Sequence, residues 1–361
     1  MSGRPLAWRA RASLGLAARG GTTLRRRLLA LTAFVACSTA GAALANDSSA
    51  ELRQGGLVLV HNPGVEMRSE DLYISPKAVK ARYRFFNATA RDLKVLVAFP
   101  MPDITTQGID DLIAIPTQDP QNIMGFSTRV EGKPVAARVE QRVVLRGVDR
   151  TALLKSLGVP LAPHLASTGK VLDRLPKADQ RRLLKLGLAQ PDDFDAGKGW
   201  EHHLAPSWTL KTTYYWDQVF PARRELAVEH DYTPSVGGTS GTSLEADWFR
   251  TSPDYRRVER KYCIDQAFMA AVDKVRKVVG PQHQAFFEKR IEYVLSSGAN
   301  WKSPIADFRL VIDKERPDSL VSVCMTGVKK IGPTRFEIRR TNFRPDRDLS
   351  ILLLEPAPTG F

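Results

Sequence analysis

Val79-Lys80-Ala81-Arg82-Tyr83-Arg84-Phe85 sets an apolar side chain at every odd position and a cation at every even one. A period of two is the signature of a half-buried β-strand, because successive side chains leave a strand on opposite faces. Asn87 to Asp92 then supplies turn formers. Leu93-Lys94-Val95-Leu96-Val97-Ala98-Phe99 follows as a returning strand, which Pro100 and Pro102 stop. The pair predicts a hairpin, and with it a β scaffold.

The same reading extends outward in both directions. Strands are expected at 56–60, 71–75, 123–130 and 135–145, with Glu131-Gly132-Lys133 turning between the last two. Further strand patterns lie at 208–220, 226–232, 291–295, 305–312, 320–325, 335–340 and 349–354. Between them, residues 147–200 read as a helical, irregular insertion. Its helices are expected at 151–157 and 176–186, the second opened by Pro176 and closed by Gly187. Ile264, Phe268, Ala271, Val272, Val275 and Val279 share one face of an amphipathic helix that Gly280-Pro281 ends.

Many short strands with Gly and Pro turns predict a mainly β (α+β) chain of two antiparallel β-sandwich-like units. The first covers 46–235 and carries the insertion. A Gly/Ser/Thr-rich linker at 236–254 leads to the second, 255–361, which holds the helix. An outer-membrane barrel is excluded, because Glu355-Pro356-Ala357-Pro358 would break a final strand before Phe361.

The first 45 residues differ from the rest. They hold seven Arg and no Lys, Asp or Glu, and Arg27 is followed by an apolar run from Leu28 to Ala36 and then Ala43-Leu44-Ala45. A cationic start, a short apolar stretch and an Ala-x-Ala exit predict a signal peptide cut between Ala45 and Asn46, and hence a periplasmic protein. The apolar stretch is diluted by Thr, Ser and Gly, so no membrane segment is expected after removal. Arg25-Arg26-Arg27-Leu28-Leu29 fits both a twin-arginine and a general-secretion signal. Cys37 follows a poor lipobox, Phe34-Val35-Ala36, and is read as part of the signal rather than a lipid anchor.

Of the net charge of +14, those seven Arg account for half. The remaining cations are interspersed with acids, and no basic stripe suited to nucleic acid is present. Cys263 and Cys324 are the cysteines left after the signal, and two Cys in an oxidising compartment predict one disulfide.

Several stretches together resemble a bacterial family known as domain-of-unknown-function family 4424. They include Asn46-Asp47-Ser48-Ser49-Ala50, Glu66-Met67-Arg68-Ser69-Glu70-Asp71-Leu72-Tyr73-Ile74-Ser75 and Tyr83-Arg84-Phe85-Phe86-Asn87. They continue through Ala98-Phe99-Pro100-Met101-Pro102-Asp103, His230-Asp231-Tyr232-Thr233-Pro234-Ser235-Val236-Gly237 and Tyr262-Cys263-Ile264-Asp265, and on to Trp301, Phe308-Arg309-Leu310 and Cys324. The resemblance implies an exported protein of proteobacterial type and brings no catalytic residues with it.

Motifs for chemistry are sparse. His61, His164, His202, His203, His230 and His283 show no metal-ligand spacing. Adjacent His202 and His203 would face opposite ways on a strand. No Gly-x-Ser-x-Gly and no phosphate loop occurs, and no cofactor is expected. Acids such as Glu66, Glu70, Asp71, Asp103, Asp110 and Asp111 read as loop carboxylates. His230 falls on the apolar face of its strand with Leu226, Val228 and Tyr232, the position of a core histidine with hydrogen-bonded ring nitrogens or of a polar group lining a pocket. Trp208, Tyr214, Tyr215, Trp216 and Phe220 crowd one strand region, with Trp301 elsewhere. Trp216, His230, Tyr232 and Trp301 are therefore the candidate binding residues. Two functions follow: a non-catalytic envelope module that binds a protein, glycan or peptide, or a periplasmic hydrolase with dispersed residues around His230.

Overall fold

The computed structural model describes residues 47–53, 56–106, 112–280 and 282–357. The expected signal peptide, its cleavage site at Ala45 and Asn46, Cys37, Asp110, Asp111 and Phe361 lie outside them. Strand makes up 46% and helix 20% of the structure, which establishes a mainly β chain. Among the described residues no helix is long and apolar enough to cross a membrane.

The alternation at 79–85 behaves as its period requires. In the strand Val79–Asn87, Val79, Ala81, Tyr83 and Phe85 are buried while Lys80, Arg82 and Arg84 are exposed. Its partners are not the expected ones. It pairs with Val65–Ile74 on one side and Glu225–Tyr232 on the other, whereas Leu93–Pro100 belongs to another sheet, between Ser48–Arg53 and Thr209–Phe220. The connection is therefore an arch and not a hairpin. The Asn87 amide holds it, donating to the Arg91 and Phe220 carbonyls at 2.8 Å each while its oxygen accepts from the Thr89 N–H at 2.9 Å. Alternation fixes which face a strand buries but leaves its neighbour open. At Glu131-Gly132 the expected turn does form. Both residues have positive φ, as a tight two-residue hairpin between Ser127–Val130 and Lys133–Val135 demands.

Eight strands form the largest sheet, in the order Lys329–Lys330, Arg335–Phe343, Ile305–Asp313, Val65–Ile74, Val79–Asn87, Glu225–Tyr232, Ser127–Val130 and Lys133–Val135. Its parallel pair, Val65–Ile74 beside Ile305–Asp313 with Leu72 opposite Leu310, joins segments from both expected units. Seven strands around Leu93–Pro100 and Thr209–Phe220 make a second sheet. A third has five, including Phe286–Tyr293, Leu320–Val323 and Leu349–Pro356. Val236–Thr239, in the segment expected as a linker, is one of these five and pairs with Phe286–Tyr293 and Leu112–Ala114.

One hydrophobic core draws side chains from all three sheets, among them Phe85, Phe99, Trp216, Tyr293, Trp301, Phe308 and Ile351. Within 147–200, helices Thr151–Ser156, Ala166–Arg174 and Lys177–Leu186 bury Leu154, Leu172 and Leu183 against Val143 and Trp208. Helix Gln266–Val279, capped by the Asp265 carboxylate on the Phe268 N–H at 2.7 Å, lays Phe268 and Val272 over Phe286, Leu352 and Leu354. The polar helix before it, Pro253–Tyr262, starts on a Ser252 cap and ends at Cys263 in the left-handed region. Cys263 and Cys324 form the expected disulfide.

Candidate functional site

Trp216, His230, Tyr232 and Trp301, the candidate binding residues, lie inside the core. All four are buried; His230 and Trp301 meet Asp47, Trp216 packs on His230, and Tyr232 packs on Phe99 and Phe126. His230 Nε2 lies 2.9 Å from Asp47 Oδ1, and neither side chain has any exposed surface. The Trp301 indole N–H donates to the Asp47 carbonyl at 2.6 Å. Rings close over the imidazole: Phe99 at 4.8 Å, Phe126 at 5.1 Å, Trp216 at 5.4 Å and Tyr83 at 5.5 Å between centroids.

Electrostatics follow from that enclosure. Burial pushes the Asp47 carboxyl above its ordinary range, against the attraction and hydrogen bond of His230. Burial alone pushes the Tyr232 phenol up. One His230 ring nitrogen is satisfied by Asp47, while Nδ1 has no hydrogen-bond partner among the described residues. Such a pair has the composition of general-base machinery, yet solvent does not reach it. A substrate would have to open the core to touch it.

What the pair does hold is the start of the described chain. Ser48–Arg53 inserts between Leu93–Pro100 and Gly56–Val60. Asn300 donates to Ser48 Oγ at 2.9 Å, and the Asn62 N–H donates to the Asn300 carbonyl at 2.7 Å. Sequence reasoning found His230 but missed Asp47, 183 residues away.

The neighbouring histidines take separate carboxylates. His202 Nδ1 meets Asp193 at 3.0 Å, whereas His203 lies between Asp173 at 2.8 Å and Glu201 at 3.1 Å. Asp173 also accepts from the Leu204 N–H, so this contact docks the hairpin Ala189–Asp195/Trp200–Pro206 on helix Ala166–Arg174. Hydrogen bonds donated to Asp173 and then to Glu201 raise the His203 pKa. The contribution of charged His203 is therefore complete below its unfolded value, about 6.5, and fades as pH rises through the folded one. A proton NMR titration should show His203 above that ordinary value in the wild type and lower in Asp173→Asn. No difference between the two would remove the assigned cause.

An open site lies elsewhere, beside the disulfide. A cleft of about 670 Å³ runs between the edge strand Leu320–Val323 and the strand Arg335–Phe343 of the large sheet. Val321, Val323, Met325, Phe336 and Phe343, all half-buried, wall it. Cys263–Cys324, Phe268, Arg340, Arg347, Asp265 and Asp346 also line it. The size is that of small-molecule sites, which are concave and mostly apolar with a few polar groups. Each apolar wall residue reads in the sequence as an ordinary core position, so no spacing revealed it. Cys324, inside the largely apolar run Val321-Ser322-Val323-Cys324-Met325, is the one sequence feature that points to it.

A second depression, about 380 Å³, lies on the outer face of the large sheet and is charged. There Arg309 pairs with Asp71 at 3.1 Å and with Glu337 at 2.8 Å, so its charges largely answer one another.

A family model described as a domain of unknown function (DUF4424) matches residues 45–352. No curated protein matches the chain. Among solved structures, a Legionella pneumophila protein named a "putative nutrient binding protein" aligns with a TM-score of 0.44 and 17% identity, over 86% of this chain and 70% of that one.

Proposed function

This chain belongs to the DUF4424 family, and on that premise we propose that it is an exported cell-envelope binding protein whose ligand occupies the apolar cleft beside Cys263–Cys324. The observation that carries this reading is the contrast between the two sites. The aromatic and histidine side chains that suggested a pocket serve a closed core, while the 670 Å³ cleft is open and apolar. Export is supported by the Arg-rich start, the apolar run, Ala43-Leu44-Ala45 and a disulfide suited to an oxidising compartment. In this reading the large sheets form a sandwich-like scaffold that presents the cleft at its edge. The hydrolase alternative is disfavoured by the zero exposure of His230 and Asp47.

A neutral apolar fluorophore, N-phenyl-1-naphthylamine, tests the cleft directly. Its emission should rise on titration with the protein, and Met325→Trp, which places an indole in the space, should weaken binding about tenfold or more. That corresponds to losing roughly 1.4 kcal/mol of apolar contact. Equal binding by Met325→Trp with an unchanged melting temperature would place the probe elsewhere and remove the proposed site.

A further inference from the structure

We propose that the cleft takes an amphipathic acid: a single apolar chain whose anionic head group is held by Arg340. This inference rests on the cleft being a binding site at all. The strand Arg335–Phe343 carries three arginines, and they are treated differently. Arg335 meets Asp313 at 2.8 Å and Arg339 meets Glu337 at 3.2 Å, so each has a carboxylate. Arg340, which lines the cleft, has neutral partners instead. Its guanidinium donates to the Arg339 carbonyl at 2.8 Å, to Thr326 Oγ1 at 2.7 Å and to the Thr326 carbonyl. Among the described residues no carboxylate pairs with it.

The seat of that guanidinium is shaped by the backbone. Gly327 sits at φ +65°, and a β-carbon there would stand 3.1 Å from Arg340 Nη1. A side chain at 327 would crowd the group that the turn receives. A half-buried cation fixed by neutral dipoles keeps its charge available to an anion, and a charge-assisted bond to it is about twice as strong as a neutral one. The acids that line the cleft do not answer it. Asp265 is committed to capping helix Gln266–Val279, and Asp346 faces Arg347 at 3.6 Å. Val321, Val323, Met325 and Phe343 line the same cleft as Arg340, an apolar surface that fits a hydrocarbon tail.

Calorimetric titration of the purified protein with straight-chain carboxylic acids, the matching alkyl phosphates and the matching alcohols tests this. Kd should fall about fourfold for each added methylene until the cleft is full. Acids and phosphates should bind about tenfold or more tightly than alcohols of equal length. R340Q should bring the acids down to the affinity of the alcohols, and R340K should restore part of the gap. Acids and alcohols binding alike, with the same chain-length dependence, would overturn the acid head group while leaving the apolar cleft standing. If no member of any series binds to natively folded protein, the cleft and its ligand class fall together.

Discussion

Replacing Asp47 by alanine is expected to lower the stability of the folded protein by about 3 kcal/mol. The figure is the upper end of the cost of orphaning a buried polar group. His230 Nε2 would lose its described partner in a position that water does not reach, with Phe99, Phe126, Trp216 and Tyr83 packed around the ring. The variant also loosens the seat of Ser48–Arg53, leaving the ladders to its two neighbours, the Trp301 bond to the Asp47 carbonyl and the Asn300 bond to Ser48 among the contacts that still hold it. Urea unfolding read by tryptophan fluorescence measures the loss. A change below about 0.5 kcal/mol would show that the ladder and those two bonds suffice, a size typical of surface positions. Asp47→Asn keeps a partner for His230 and should lose less than half as much. Its pH dependence has a definite sign. Burial raises the Asp47 carboxyl in the folded state. Such a group contributes stability that is whole below its unfolded value, about 3.9, and is lost as pH climbs through the folded value. The asparagine variant does not ionise, so its deficit relative to wild type should shrink across that window.

Local patterning made much of this legible in the sequence. Val79 to Phe85 announced its buried face, Gly187 and Gly280 announced helix ends, and His230 was placed among Leu226, Val228 and Tyr232 on the inward side of its strand. Neighbours were not legible, because a period of two is indifferent to which strand sits alongside. Val79–Asn87 and Leu93–Pro100 look like two arms of a hairpin but are assigned to different sheets by their packing. The parallel pairing of Val65–Ile74 with Ile305–Asp313 spans most of the chain and leaves no local trace. The helix Ala166–Arg174 has no side-chain cap at its start and contains Gly169, so its beginning is not punctuated. The candidate site failed to show for the same reason as the sheet order. Asp47 and His230 meet across 183 residues, and the cleft is assembled from edges that each look like core. Chemistry held by long-range packing is invisible to spacing.

Removing the disulfide, in the double variant Cys263→Ala with Cys324→Ala, is expected to cost about 2–4 kcal/mol. The bond closes a separation of 61 residues, for which chain entropy alone gives about 4 kcal/mol. Some of that is already secured by other contacts. Ser322 Oγ donates to the Tyr262 carbonyl at 2.9 Å, and helix Gln266–Val279 is packed on Phe286, Leu352 and Leu354. The native thermal midpoint should therefore fall without loss of the fold, and guanidinium unfolding of the oxidised and reduced wild-type protein should reproduce the difference. A loss under about 1 kcal/mol would mean that these contacts alone hold Pro253–Tyr262 against Leu320–Val323, outside the range usual for native disulfides. The same variant reports on the cleft. Cys263 and Cys324 line it, so loosening them should weaken N-phenyl-1-naphthylamine binding while His203, on the strand Trp200–Pro206 and outside the cleft lining, keeps its titration unchanged. Stability and binding would then fall together at one edge of the molecule and nowhere else, as expected if the disulfide holds the walls of the cleft in place.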